Sequence, residues 1–231
     1  MGAPNLSGRQ PAFLFDLDGT LVDSVYQHVA AWQEALVECG IPLSVWRIHR
    51  RIGMSGGLFI TALQRETGLS LDPLTQARLT RLHAERYAQR AGTVAPLPGA
   101  CELLEVLGQH EVAFAIATSG TLSVATPALA LLRVPETVPV ITRDQVARAK
   151  PDPDLFLAGA ERLKVEPARC FVVGDSVWDL LAAKRAGALG IGLLSGGYGQ
   201  EELQAAGAYR VYEDPADLVE HLEEVGVRPA H

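Results

Sequence analysis

Residues 12 to 24 read AFLFDLDGTLVDS. Four apolar residues run straight into Asp16, Asp18 and Asp23. An unbroken apolar tetrapeptide closed by polar residues is the pattern of a short strand buried on both faces, as in a parallel sheet. Carboxylates at the end of such a strand repel one another and lose hydration. Either they form an acidic solvated loop, or a cation sits among them.

The same pattern recurs downstream. VAFAIATS (112 to 119), VPVIT (138 to 142), CFVVGD (170 to 175) and ALGIGLL (188 to 194) are apolar runs closed by turn or helix-start residues. Helical patterns fill the intervals between the later runs, so the second half reads as repeated βα units. The expected fold class is α/β, a doubly wound (Rossmann-like) parallel sheet with helices on both faces.

The first half breaks this rhythm. About 95 residues separate Asp16 from Val112, whereas a crossover needs only about a dozen. Val25, Val29, Trp32 and Leu36 stand at i, i+4, i+7 and i+11, one face of a helix. Further helical segments follow at about 55–66 and 73–90, and AGTVAPLPGA (91 to 100) reads as the return linker. The expected organisation is a core of residues 1–21 and 94–231 with an inserted all-α cap at 22–93.

Composition limits the partners. With 48% hydrophobic and 20% charged residues, the 231-residue chain can bury a large core. A formal net charge of −7, from 20 basic and 27 acidic residues, leaves no basic face for nucleic acid or anionic lipid. No apolar run approaches the roughly 18 residues that span a bilayer. The opening MGAPNLSGRQ has no signal-peptide core, and Leu6 stands where a myristoylation motif needs Ser or Thr. These features predict a cytoplasmic monomer or weak dimer acting on a small molecule. Cys39, Cys101 and Cys170 are too scattered for a metal site or a disulfide framework and are expected to be packing residues.

In open α/β sheets, ligands bind beyond the carboxyl ends of the strands. DLDGT, TSG and GDSVWD all follow predicted strands, and Lys150, in AKPDPD, lies just after another. Converging carboxylates need a counter-charge, and Mg²⁺ suits them because it accepts a few protein oxygens and keeps its affinity for phosphate. Asp16, Asp175 and an oxygen of Asp18 are the candidate ligands. Thr118, Ser119 and Lys150 supply what a phosphate needs, namely free N–H groups at a helix start and a point charge. Asp16 is then placed to attack phosphorus, with Asp18 as general acid and later base. Proton transfer is worth about 10²–10⁴, against a requirement approaching about 10²¹ for phosphate monoesters. Most of the barrier must therefore fall to charge stabilisation and the covalent route.

DLDGTLVDS, ATSG, KPDPD and GDSVWD stand in the order and spacing of the four motifs of haloacid dehalogenase-like phosphatases, and the chain resembles that superfamily over nearly its whole length. The resemblance implies Asp16 as nucleophile and metal ligand, and Asp18 as acid and base that binds metal through its carbonyl. It implies Thr118 and Lys150 as the phosphoryl grip, Asp175 as a further metal ligand, and Asp179 as a residue orienting Lys150 or a metal-bound water. It also implies that the helical cap closes over the site, excludes water and selects the substrate. A second Asp at position 18 favours phosphate chemistry over carbon–halogen cleavage.

DSVYQHVAAW, with His28 and Trp32, and GMSGG, with Gly53, Met54 and Ser55, resemble the branch of β-phosphoglucomutase and phosphoglycolate phosphatase. Gly56 stands where the mutases carry an arginine for a second phosphate. The expected activity is thus hydrolysis of a sugar phosphate or a phosphoglycolate-class substrate, with phosphomutase as the alternative. Plainer readings make Asp23 a turn residue, Asp179 a first-turn acid behind a Ser176 cap, and Gly53 to Ser55 an interhelix turn. His49, His83, His110 and His221 have no metal spacing and are expected to be solvated. A phospho-accepting signalling receiver also gathers Asp, Thr and Lys, but its acceptor Asp follows a later strand.

Overall fold

The computed structural model describes residues 10–228. The reading of the opening segment therefore lies, apart from Gln10, outside the described residues. In chain order the elements are β1 (Ala12–Phe15), β2 (Val22–Asp23), α1 (Val25–Glu38), α2 (Val45–His49), α3 (Gly56–Thr67), α4 (Pro73–Ala88), β3 (Ala95–Pro96) and α5 (Ala100–Gln109). There follow β4 (Phe114–Ala117), α6 (Leu122–Leu131), β5 (Val140–Ile141), α7 (Asp154–Leu163), β6 (Cys170–Gly174), α8 (Val177–Ala186), β7 (Leu189–Leu193), α9 (Gln200–Ala206), β8 (Ala208–Tyr212) and α10 (Pro215–Glu220).

Six strands form one parallel sheet in the order β5-β4-β1-β6-β7-β8, and β2 pairs with β3 in a separate antiparallel ribbon. Successive residues of β1 serve opposite faces. Phe13 and Phe15 join Phe114, Ile116, Phe171 and Val173 in a cluster covered by Leu103 and Leu107 of α5, Ala125 of α6 and Leu218 of α10. Ala12 and Leu14 join Ala115, Ala117, Cys170 and Val172 under Leu155 and Phe156 of α7 and Ala182 of α8. Burial on both faces is why these strands read as unbroken apolar runs.

All five predicted strands are present, and β8 is an addition. Its sequence AYRVY exposes Tyr209 and Arg210 on the sheet's edge, so it carries no apolar run. The ribbon of β2 and β3 was equally invisible, since each strand has two residues and one contains Pro96.

Four helices separate the ribbon strands. Val25, Val29, Trp32 and Leu36 of α1 pack with Ile48, Phe59, Leu63, Leu79 and Leu82 in a cluster of their own. Asp72 caps α4 by accepting the Thr75 N–H at 2.8 Å, and Pro73 opens the helix where no N–H is needed. No helix among the described residues is long and apolar enough to cross a membrane. Cys170 is buried and Cys39 half-buried, but Cys101 is exposed on α5, so it is not a packing residue.

Candidate active site

The strand order reverses at β1, and the crevice beside it collects the polar strand ends. Asp16 extends β1 by one residue, its N–H donating to the Val173 carbonyl at 2.9 Å, and its side chain is buried. The chain then turns back sharply, with the Gly19 N–H bonded to the Val22 carbonyl at 2.8 Å. Gly19 has φ +83°, and a Cβ there would stand 2.5 Å from Asp175 Oδ2. Only glycine lets this loop lie against the residue that follows β6. Thr20 Oγ1 donates to Asp175 Oδ1 at 3.1 Å from the same loop.

Lys150 is wholly buried between two carboxylates, contacting Asp16 Oδ1 and donating to Asp179 Oδ1 at 2.8 Å. Asp179 Oδ2 accepts the Ser176 N–H at 3.1 Å and the Ser176 hydroxyl, so Asp179 is at once the first-turn acid of α8 and the partner of Lys150. Carboxylate oxygens of Asp16, Asp175 and Asp179 come within 4.8 Å of one another. Three carboxylates against one ammonium leave a surplus of negative charge in a buried space.

The acid–base balance reflects this. Burial, with the charges of Asp179 and Asp18, outweighs Lys150 and pushes the Asp16 carboxyl up to about 7. Burial and the charges of Asp179 and Asp16 hold Asp175 well above the usual carboxylate range. Burial alone would lower Lys150, but Asp16 and Asp179 raise it above an ordinary lysine. Surplus charge and all-oxygen donors fit a hard divalent cation of the Mg²⁺ kind.

The Asp18 side chain is turned out of this group. Ser24 Oγ donates to its Oδ1 at 2.6 Å, His28 Nε2 lies 3.1 Å from the same oxygen, and Thr118 Oγ1 reaches Oδ2 at 3.4 Å. Burial would raise Asp18, but the His28 ring and the hydrogen bonds from His28 and Ser24 hold it down at about 2. The three carboxylates that cluster are therefore Asp16, Asp175 and Asp179. Of position 18, the main-chain oxygen is the donor that the resemblance assigns to an ion.

Thr118 is buried at the end of β4, and its hydroxyl also accepts the Gly120 N–H at 3.0 Å. Ser119 follows it. Its hydroxyl donates to the Gly53 carbonyl at 2.9 Å, which ties the core to the cap and commits its proton, so that the backbone N–H remains as the donor for a ligand. The cap leans on the core at further points: the Arg50 carbonyl accepts from Trp178 Nε1 at 3.2 Å and Tyr198 OH at 3.0 Å, and His49 Nε2 meets the Gly196 carbonyl at 2.8 Å.

Two histidines correct the solvated reading. His49 makes the docking contact just described. His83 Nε2 lies 3.1 Å from His28 Nδ1, and its ring stacks on Trp32 at 4.3 Å between centroids. His221 sits partly buried against Tyr212, and His110 is half-buried. Ser24, Thr20 and His83 are site residues that sequence reasoning missed. For Thr20 and Ser24 the signal was their place beside the clustered aspartates, and for His83 its position one turn from both Leu79 and Tyr87 of α4.

Asp16, Asp18, Thr118 and Lys150 form one end of a cavity of about 590 Å³, and His28, Trp32, Gly53, Met54 and Ser55 come to it from the cap. The expected site residues thus meet in one place. A buried carboxylate beside an ammonium, with a second carboxylate in the lining of the same cavity, is equipped for nucleophilic attack and proton transfer.

Comparison with known proteins agrees with this geometry. A phosphoglycolate phosphatase of Rhodospirillum rubrum is 32% identical over 218 residues, covering 91% of this chain and 90% of that one. Hexitol phosphatase A of Escherichia coli is 35% identical over 181 residues, covering 78% and 81%. The crystal structure of a hydrolase from Pseudomonas syringae superposes with a TM-score of 0.91 at 53% identity, covering 93% of this chain and 99% of that one. Residues 11–187 match the haloacid dehalogenase-like hydrolases, and the chain belongs to that family.

Proposed function

We propose that this phosphoric monoester hydrolase cleaves a small phosphorylated metabolite through a covalent phosphoaspartate on Asp16, with Mg²⁺ as cofactor. The observation that carries the reading is the pairing of Asp16 with Lys150 at one end of the cavity, with Asp18 and Thr118 alongside.

Asp16 attacks phosphorus while the bond to the leaving oxygen breaks, and Asp18 gives that oxygen its proton. Asp18, now a carboxylate, takes a proton from the water that attacks the phosphoaspartate, which releases phosphate and restores Asp16. His28 and Ser24 favour the ionised form of Asp18, and so the second half of this cycle. Lys150, Thr118 and the N–H groups that follow Thr118 hold the phosphoryl oxygens, while Asp179 and Ser176 fix Lys150 in place. Asp16, Asp175 and the carbonyl of position 18 would hold Mg²⁺, which would supply positive charge beside the phosphoryl oxygens.

The substrate class is a sugar or polyol phosphate or a phosphoglycolate-like acid, the kinds named for the two relatives. Against a phosphomutase stands Gly56, which lines the cavity at the position where the resemblance to the mutases calls for an arginine. Purified protein is expected to release phosphate from p-nitrophenyl phosphate with Mg²⁺ and to lose that activity in excess EDTA. Asp16→Asn should fold normally yet turn over at least about 10³-fold more slowly. Undiminished rates in EDTA, or in the Asn variant, would remove the mechanism.

A further inference from the structure

Away from Asp16 and Asp18, the cavity has a wall that the proposed reaction does not use. Ala77, Thr80, Arg81 and Ala84 stand at i, i+3, i+4 and i+7 along α4 and line the space from the cap. The other sides of this helix bury Leu79 and Leu82. The cavity-facing stripe is lined by two alanines and a threonine, which leave room. Across the gap, Ser123 and Val124 of α6 and Arg143, just beyond β5, form the core side.

Charge on this wall is of one sign. Arg51, Arg81 and Arg143 line the cavity, and its lining includes no carboxylate other than Asp16 and Asp18. Arg143 gives one guanidinium N–H to the Val146 carbonyl at 2.7 Å and pairs with no carboxylate among the described residues. Arg81 meets Glu85 at 2.6 Å, but both side chains are about half exposed, an arrangement worth little. Arg51 shares Glu66 with Arg47, and its Nε is buried without a hydrogen-bond partner. Of the three arginines that line the cavity of this acidic chain, Arg143 is thus the one with no carboxylate partner among the described residues, and its backbone N–H donates to the Gly120 carbonyl at 2.9 Å.

From this juxtaposition we infer that the substrate is a sugar-sized phosphomonoester whose leaving group carries a second anionic group, a carboxylate or a second phosphate, received by Arg143 and Arg81. The inference rests on the phosphatase reading above and narrows its substrate. The volume agrees, since about 590 Å³ lies in the roughly 300–1,000 Å³ range of ligand sites and far exceeds what a two-carbon phosphoester fills. Arginine suits the role because its planar donors match carboxylate and phosphate oxygens. The positive wall also draws a dianionic substrate into the cleft of an acidic protein.

The test compares three phosphoesters on one carbon skeleton: glucose 6-phosphate, gluconate 6-phosphate and glucose 1,6-bisphosphate. One of the two doubly acidic esters should exceed glucose 6-phosphate in kcat/KM by at least about tenfold, and which one does so identifies the second group. That ratio should shrink as ionic strength rises. It should fall toward unity in Arg81→Gln/Arg143→Gln and persist in Arg143→Lys. Equal kcat/KM for all three esters, or an undiminished ratio in the double Gln variant, would overturn the inference. Failure of the phosphatase reading looks different: wild-type enzyme would then release no phosphate even from p-nitrophenyl phosphate with Mg²⁺.

Discussion

Lys150 is the side chain on which the buried site depends most. It is the ammonium between Asp16 and Asp179, and nothing else cationic touches either carboxylate among the described contacts. Replacing it with Met keeps the volume but strands two buried charges, so Lys150→Met should lose about 3–5 kcal/mol of unfolding free energy as well as activity. Urea unfolding measures the first and phosphate release the second. The loss should be smaller with Mg²⁺ present, since the ion takes over part of the neutralisation. Asp16, Lys150 and Asp175 were legible in the sequence because each ends or closely follows an apolar run. The direction of a side chain was not. Asp18 turns to Ser24 and His28 at the start of α1, and Ser119 turns to Gly53 in the loop before α3, because the fold brings these partners alongside, which spacing alone does not reveal.

The loop before α3 shows how an element couples cap to core. Gly53 has φ +95°, and a Cβ there would come within 2.8 Å of Ser176 Oγ, the hydroxyl that also holds Asp179. Gly53→Ala would strain this backbone by about 1–3 kcal/mol and push the loop away from Ser176. The cap has its own apolar cluster, so the strain should appear as poorer docking rather than as unfolding. We expect kcat/KM to fall about tenfold or more while the melting temperature moves by only a few degrees. A Tm drop with unchanged kinetics would show that the loop does not gate the site. The helices of this region were readable from the stripe of α1 and the capped start of α4, since a 3.6-residue period survives insertion anywhere in a fold. The contacts that seat them, such as Trp178 and Tyr198 on the Arg50 carbonyl, join a backbone atom to side chains more than a hundred residues away and leave no pattern to read.

Taken as a whole, the molecule spends stability on its site, and pH should expose this. Asp16 and Asp175 have folded-state pKa values above those of the unfolded chain, Asp16 near 7. Between about pH 4 and pH 7 the folded metal-free protein therefore retains protons that the unfolded chain has released. Folded states that bind more protons lose stability as pH rises, so the metal-free protein should weaken across this window. Asp18 acts in the opposite sense, since its folded value of about 2 gives stability that is lost only as pH falls from about 4 towards 2. The two effects occupy separate ranges. In EDTA, the melting temperature should accordingly be lower at pH 8 than at pH 5, and millimolar Mg²⁺ should raise it more at pH 8, where the carboxylates need a counter-charge. Asp175→Asn removes one of the raised groups and should flatten the pH dependence in EDTA while reducing the Mg²⁺ shift. A metal-free protein that is equally stable at both pH values would mean that Lys150 alone neutralises the cluster, and the case for a cation would then rest on kinetics alone.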